Sequence, residues 1–125
     1  AFNVHTGLLP EWGGTDLLYH TLKARAREQG MTFHAITDRL DYGPILSKTS
    51  YPVFVGDSIV DLYRLLVSLC PYFVLSSLRL LESIGIDRAL QCFQAEPTVY
   101  RRGQIEQDDF EEYKKTRDIL TYIFH

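Results

Sequence analysis

The sequence predicts an α/β fold built around part of a β-sheet. Three observations carry that prediction. Apolar residues alternate at 1–5 and 31–37, as in half-buried strands. Between them Leu18, Leu22 and Ala26 recur at four-residue spacing, as on a helix face. The full order of segments reads strand, helix, strand, strand, helix, helix, which suits a sheet with flanking helices better than a bundle. Of 125 residues, 46% are hydrophobic and 23% charged, enough apolar material for one globular domain or part of one, and this excludes a disordered or collagen-like chain.

The elements follow in order. Residues 1–5 read as the end of a buried strand. Gly7, Pro10, Gly13 and Gly14 then force a loop over 6–15. Thr15 is a candidate helix cap with Asp16 in the first turn, and Gly30 is placed to end that helix. A strand over 31–37 puts Phe33 and Ala35 on one face and His34 and Ile36 on the other. A polar turn covers 38–43. A second strand runs over 44–53, with Pro52 suggesting a sheet edge. Ser58 and Asp61 have capping-box spacing, and Ile59, Leu62, Leu66 and Leu69 give the next helix a core face. Pro71 breaks or kinks it, and apolar periodicity resumes through Leu81. Residues 97–102 read as extended and 108–124 as a terminal helix. Two units result: 1–84, and a helical extension over 85–125.

Composition limits the partners. The net charge of −3 is a poor match for nucleic acid, so no DNA is expected. The uncharged apolar run from Leu65 to Leu78 is short for a bilayer and is interrupted by Ser68 and Pro71, so no membrane is expected. Cys70 and Cys92 form no metal-ligand spacing and no disulfide framework, which points to a reducing, cytoplasmic setting and to no metal. The chain opens abruptly on a strand, so a fragment or a processed product is expected.

The chemistry concentrates in Asn3-Val4-His5-Thr6-Gly7-Leu8-Leu9-Pro10. Asn3 and His5 are two residues apart on a strand and share a face. An amide donor and a group that titrates near neutrality, at a strand end before a Gly/Pro loop, can serve a developing oxyanion. A lone Asn-x-His is more often a capped loop than a site. The turn Thr37-Asp38-Arg39-Leu40-Asp41-Tyr42-Gly43 carries acids that are commonly just solvated, but Asp41 could orient His5 and favour its imidazolium.

Asn-x-His-x-x-Leu-Leu-Pro followed by Asp41-x-Gly43 resembles the folate-dependent formyltransferases: the glycinamide ribonucleotide, methionyl-tRNA and sugar N-formyltransferases. The resemblance covers residues 2 to 66. Residues 37–44 and 52–58 look closest to the glycinamide ribonucleotide branch. It implies a Rossmann-like α/β sheet, with this chain its back half, and a formyl group passed from 10-formyltetrahydrofolate to a small-molecule amine. By the same resemblance Asn3 hydrogen-bonds the oxyanion, His5 donates to that oxygen or acts as general acid, and Asp41 holds His5. The backbone of Thr37, Asp38, Arg39, Leu40 and Asp41 would cradle the pterin.

There are departures. Thr6-Gly7 follows the histidine, where many relatives carry Pro-Ser or Gly-Ser, and Trp12-Gly13-Gly14 replaces a basic residue before glycine. Val67-Ser68-Leu69-Cys70 lacks the acid expected for a glycinamide ribonucleotide ribose. Relatives also carry an α/β half before the motif. The chain is therefore expected to form a homo-oligomer, need an N-terminal half, or be marginal alone. Two other functions compete: hydrolysis of formyltetrahydrofolate with water as acceptor, and a non-catalytic fragment that associates with another chain. His34 is expected to pack or cap rather than catalyse, and His20 to lie at the surface or boundary.

Overall fold

The computed structural model describes residues 1–101, 104 and 105. In chain order the elements are β1 (Phe2–His5), β2 (Gly13–Gly14), α1 (Leu17–Lys23), β3 (Glu28–Ala35), β4 (Ile45–Pro52), α2 (Ile59–Ile84), α3 (Ile86–Ala89) and β5 (Val99–Tyr100). The fold is α/β. One sheet has the order β1-β3-β4, and β2 pairs with β5 in a second.

β3 is the central strand and is buried from Gln29 to Ala35, consistent with cover on both of its faces. β4 lies at the edge, where a terminal Pro52 costs no ladder bond. Within this sheet β1 and β4 both run antiparallel to β3. The physical reason is local. The chain reverses through residues 36–44 into β4, so β3 and β4 form a hairpin.

Register assigns the two faces. Val4 lies opposite Phe33 and Phe2 opposite Ala35, and the Phe2 and Phe33 rings stack at 5.3 Å. That side faces α2, and its core is Met31, Phe33, Tyr51, Leu62, Leu66 and Phe73. On the other side Asn3 lies opposite His34, and His5 opposite Thr32. The sheet therefore separates an apolar face from a polar one.

Three sequence expectations change. Thr15 does not cap α1. The cap position is Asp16, with φ 54° and no side-chain cap bond, because the Thr15 amide is drawn to the Tyr100 carbonyl at 3.0 Å. Gly30 does not end α1, which stops at Lys23; Arg25 turns the chain at φ 54°. Gly30 sits inside β3 instead, where a Cβ would collide with the Thr49 carbonyl of β4 and come within 2.8 Å of Ser50 Cα. Pro71 neither breaks nor ends α2, which runs unbroken past it. A proline in a helix interior costs about 3 kcal/mol. Here packing holds both sides of it: Leu62 and Leu66 are buried before it, Phe73 and Ser77 after it. The Ser77 and Ser47 hydroxyls also join across to β4 at 2.8 Å.

The capping box stands as read. Asp61 N donates to Ser58 Oγ at 3.2 Å, and Ser58 N donates to Asp61 Oδ2 at 2.8 Å. α2 is long and apolar enough to cross a membrane, more so than the Leu65–Leu78 run suggested. One of its faces packs on the sheet, while Tyr72 and Leu75 on it are exposed. Beyond α3 the chain returns to the motif loop, where β5 pairs in parallel with β2. The helix expected over 108–124 lies outside the described residues.

Candidate active site

The loop that follows β1 is fastened from beneath by buried polar side chains. Thr32 Oγ1 donates to the Gly7 carbonyl at 2.7 Å and accepts from Leu9 N at 2.9 Å. Gln29 Oε1 accepts from Leu8 N at 2.9 Å, and Gln29 Nε2 donates to Thr21 Oγ1 at 2.7 Å. Thr21 in turn donates to the Leu17 carbonyl at 2.5 Å. Gln29, Thr21 and Thr32 are fully buried, so this satisfied network rigidifies the loop and fixes its path. Lys48 Nζ adds a bond to the Leu9 carbonyl at 3.0 Å.

The upper side of the loop is clamped by β5. Gly13 N donates to the Thr98 carbonyl at 2.7 Å, and the Trp12 and Tyr100 rings stack at 4.9 Å. This contact explains the Gly-Gly pair. Gly14 has φ 95°, and a Cβ there would strike the Tyr100 carbonyl. Gly7 is required for a related reason: a Cβ would lie 2.7 Å from the Trp12 carbonyl and 3.1 Å from His5 Nε2. Gly7 and the Trp12-Gly13-Gly14 segment are thus mutually adjusted.

His5 and Asp41 meet inside this frame. His5 Nδ1 is 3.3 Å from Asp41 Oδ1, and both side chains are more than nine-tenths buried. Asp41 is fixed at its other oxygen, where Oδ2 accepts from Gly14 N at 2.8 Å. Its backbone is left-handed, with φ 54°, a conformation aspartate tolerates better than most residues. His5 Nε2 donates to the Trp12 carbonyl at 2.7 Å. With that proton committed, Nδ1 carries a proton only in the imidazolium, and that proton lies against Asp41.

Burial is the largest influence on His5 and pulls its pKa below 6.5; the Trp12 carbonyl and Asp41 oppose it, and His34 reinforces it. The folded protein therefore holds His5 neutral at a pH where the unfolded chain has begun to protonate. Between 6.5 and the lower folded value the unfolded state binds more protons, so stability rises with pH and is lost as pH falls through that window. Thermal melts from pH 7 to 5 should show this decline, and His5→Gln should flatten it. An unchanged slope would place its origin in another group.

Asn3 shares the face of His5 and is exposed. Its Nδ2 lies 3.5 Å from His34 Nε2. The turn over 37–41 is tied down separately. Thr37 Oγ1 donates to the Tyr42 carbonyl and accepts from Arg39 N at 3.2 Å. Arg39 pairs with Glu96 and lies 4.4 Å over the Tyr42 ring. Residues 36–40 are all exposed, and Leu40 is 76% exposed.

A family model described as formyl transferase matches residues 1–71. The chain belongs to the formyl transferase family. Its sequence is 38% identical to the phosphoribosylglycinamide formyltransferase of Escherichia coli over 60 residues, which covers 48% of this chain and 28% of the relative. It is 32% identical to the methionyl-tRNA formyltransferase of Methylococcus capsulatus over 107 residues, 86% of this chain and 34% of the relative. Its fold is similar to that of WlaRD, a sugar 3N-formyl transferase solved in the presence of dTDP and 5-N-formyl-THF. The TM-score is 0.57 at 21% identity, over 84% of this chain and 38% of that one. The chain spans about a third of the length of the curated relatives it matches.

The turn over 37–41 is the segment that the family resemblance assigns to the pterin, and it lies at the surface. Residues 37–40 are exposed, with Leu40 adding an apolar side chain at the surface, while the Arg39 amide and carbonyl are engaged by Thr37 Oγ1 and the Tyr42 amide. Sequence reasoning passed over three neighbours of the site. His34 was read as packing or capping; it is 3% exposed and lies beside Asn3. Trp12 supplies a carbonyl and Gly14 an amide, both invisible in side-chain chemistry. Antiparallel register, had it been expected, would have put His34 opposite Asn3. His20 is also not a surface residue: it is 6% exposed, with Nε2 donating to the Arg101 carbonyl at 3.1 Å.

Proposed function

We propose that this chain carries the formyl-transfer centre of a folate-dependent enzyme that formylates a small-molecule amine. The observation that carries the reading is the buried His5–Asp41 pair beside exposed Asn3, within the segment matched by the family. 10-Formyltetrahydrofolate supplies an electrophilic formyl carbon, and the turn of Thr37, Asp38, Arg39, Leu40 and Asp41 holds its pterin.

The residues divide the work. The attacking amine forms a bond to the formyl carbon, the bond to the folate nitrogen breaks, and the amine's proton must reach that nitrogen. Asn3 Nδ2 donates to the formyl oxygen as charge builds on it; one such donor contributes about 3 kcal/mol. His5 and Asp41 handle the proton, and transfer through a positioned pair contributes roughly 100-fold or more. Because Nε2 is engaged by Trp12, the titrating nitrogen is Nδ1, against Asp41 Oδ1. Both ring nitrogens are engaged within the chain, so His5 makes the expected donation to the formyl oxygen only once Nε2 leaves the Trp12 carbonyl; burial holds the ring neutral, and Asp41 favours its cation.

Since the chain spans about a third of its matched relatives, the acceptor site and the rest of the folate pocket are assigned to an N-terminal half or a second copy. The test incubates the full-length protein with 10-formyltetrahydrofolate, with and without a panel of amino sugars and amino-ribonucleotides. Release of tetrahydrofolate that depends on an amine, with formylated product by mass, is the expected result. Release without amine assigns water as the acceptor and makes the protein a hydrolase. No release under either condition rejects both.

A further inference from the structure

We infer that His34 is a positioning residue that sets the orientation of the Asn3 amide. The inference rests on the formyl-transfer reading of Asn3 and extends it to a residue that reading does not use.

Three independent features aim His34 at Asn3. The first is backbone. The β3–β4 ladder shifts register between Phe33 and His34: Phe33 pairs with Ser47 but His34 with Ile45. A β-bulge of this kind twists the strand locally and re-aims a side chain, and bulges recur beside active sites. The second is the tautomer. His34 Nδ1 donates to the Ala35 carbonyl at 2.9 Å. In the neutral ring that leaves Nε2 without a proton, as an acceptor. The third is the partner. Across the β1–β3 pair His34 lies opposite Asn3, and Asn3 Nδ2 is the atom facing Nε2, at 3.5 Å.

These features together break the symmetry of the amide. An exposed asparagine can present its oxygen or its nitrogen to a substrate at nearly equal cost. An acceptor nitrogen on one side favours Nδ2 there, because the amide oxygen would face another lone pair. One N–H is held by His34, and the second remains for a formyl oxygen. With the ring reversed, or replaced by an apolar side chain, the amide is free to turn its oxygen toward the developing negative charge, where it repels.

His34 is buried, so it works through Asn3 rather than on substrate. Its loss should therefore reduce kcat and leave the affinity for reduced folate nearly intact, since the amide orientation matters most as charge develops. A misoriented group at a reaction centre can cost about 100-fold, and a loss of about 10- to 100-fold is expected for His34→Leu. His34→Gln, whose Oε1 can accept from Asn3, should recover part of it.

The experiment has two arms. In the full-length protein, kcat and folate affinity are measured for His34→Leu, His34→Gln, Asn3→Ala, and Asn3→Ala combined with His34→Leu. If His34 acts through Asn3, the double variant is no slower than Asn3→Ala alone; independent roles would multiply. Losses that multiply, or a His34→Leu enzyme as fast as the parent, overturn the inference. Unchanged transfer by Asn3→Ala sinks the site reading itself, which keeps the two failures apart. The second arm needs neither folding of a variant nor turnover. Nitrogen-15 spectra of the unsubstituted protein at alkaline pH should show His34 as the Nδ1–H tautomer. An Nε2–H tautomer would leave no acceptor for Asn3 and would also overturn the inference.

Discussion

His5→Ala in the full-length protein should lower kcat by about 10²–10³-fold while changing folate affinity little. The side chain lies under the loop with one nitrogen on the Trp12 carbonyl and the other against Asp41, and under the proposed mechanism it acts as a proton moves. Removing an interaction made only in the transition state lowers kcat and kcat/KM together and leaves ground-state binding alone. Steady-state kinetics paired with equilibrium titration of a reduced folate separate the two. Equal losses in both would show that His5 holds the loop rather than the proton. Asp41→Asn supplies the matching pH test. Asp41 favours the imidazolium, so neutralising it should move the acid limb of kcat to lower pH.

Leu62→Ala should cost about 3 kcal/mol of stability, within the ordinary range for truncating a buried leucine. Leu62 is completely buried in the cluster that joins α2 to the sheet, with Met31, Phe33 and Tyr51. Against a net stability of about 5–15 kcal/mol that is a large share. The candidate site lies on the opposite face, where His5 meets Asp41 and the Trp12 carbonyl and Asn3 meets His34. Chemical denaturation should therefore show a lower midpoint, while kcat per folded molecule stays close to the parent. A loss of less than 1 kcal/mol would mean that the neighbours of Leu62 collapse to fill the space. A fall in kcat per folded molecule would mean that the core and the polar face are coupled.

Together the two substitutions separate what the sheet does on each side. Val4 and Phe33 meet on the α2 face, and Asn3 and His34 on the other, so a single pair of strands carries both the core and the candidate site. The reactive groups need not pack in the core, and the core need not tolerate a charge. β5 and the Gly13–Gly14 strand then hold Asp41 at its second oxygen, which leaves the first for His5.

The sequence by itself determined the elements whose signals are local. Ser58 and Asp61 specify a helix start because both bonds of the capping box close within one turn. Alternation marks β1 and β3 because side-chain period follows from the strand backbone alone. The motif placed Asn3, His5 and Asp41 in one site by resemblance, and the folded chain brings His5 and Asp41 to 3.3 Å. Only the tertiary structure decided the rest. Pro71 remains helical because packed residues on both sides outweigh its local cost. Gly30 belongs to a strand because β4 leaves no room for a Cβ, a constraint from a residue far along the chain. Thr15 loses its role as a cap to a bond with Tyr100. His34 becomes the neighbour of Asn3 through antiparallel register and a bulge, both set by pairing between segments. Local rules read φ/ψ preference and periodicity, whereas the direction of a strand, the neighbour of a side chain and the proton on a ring are fixed by groups that sequence distance keeps apart.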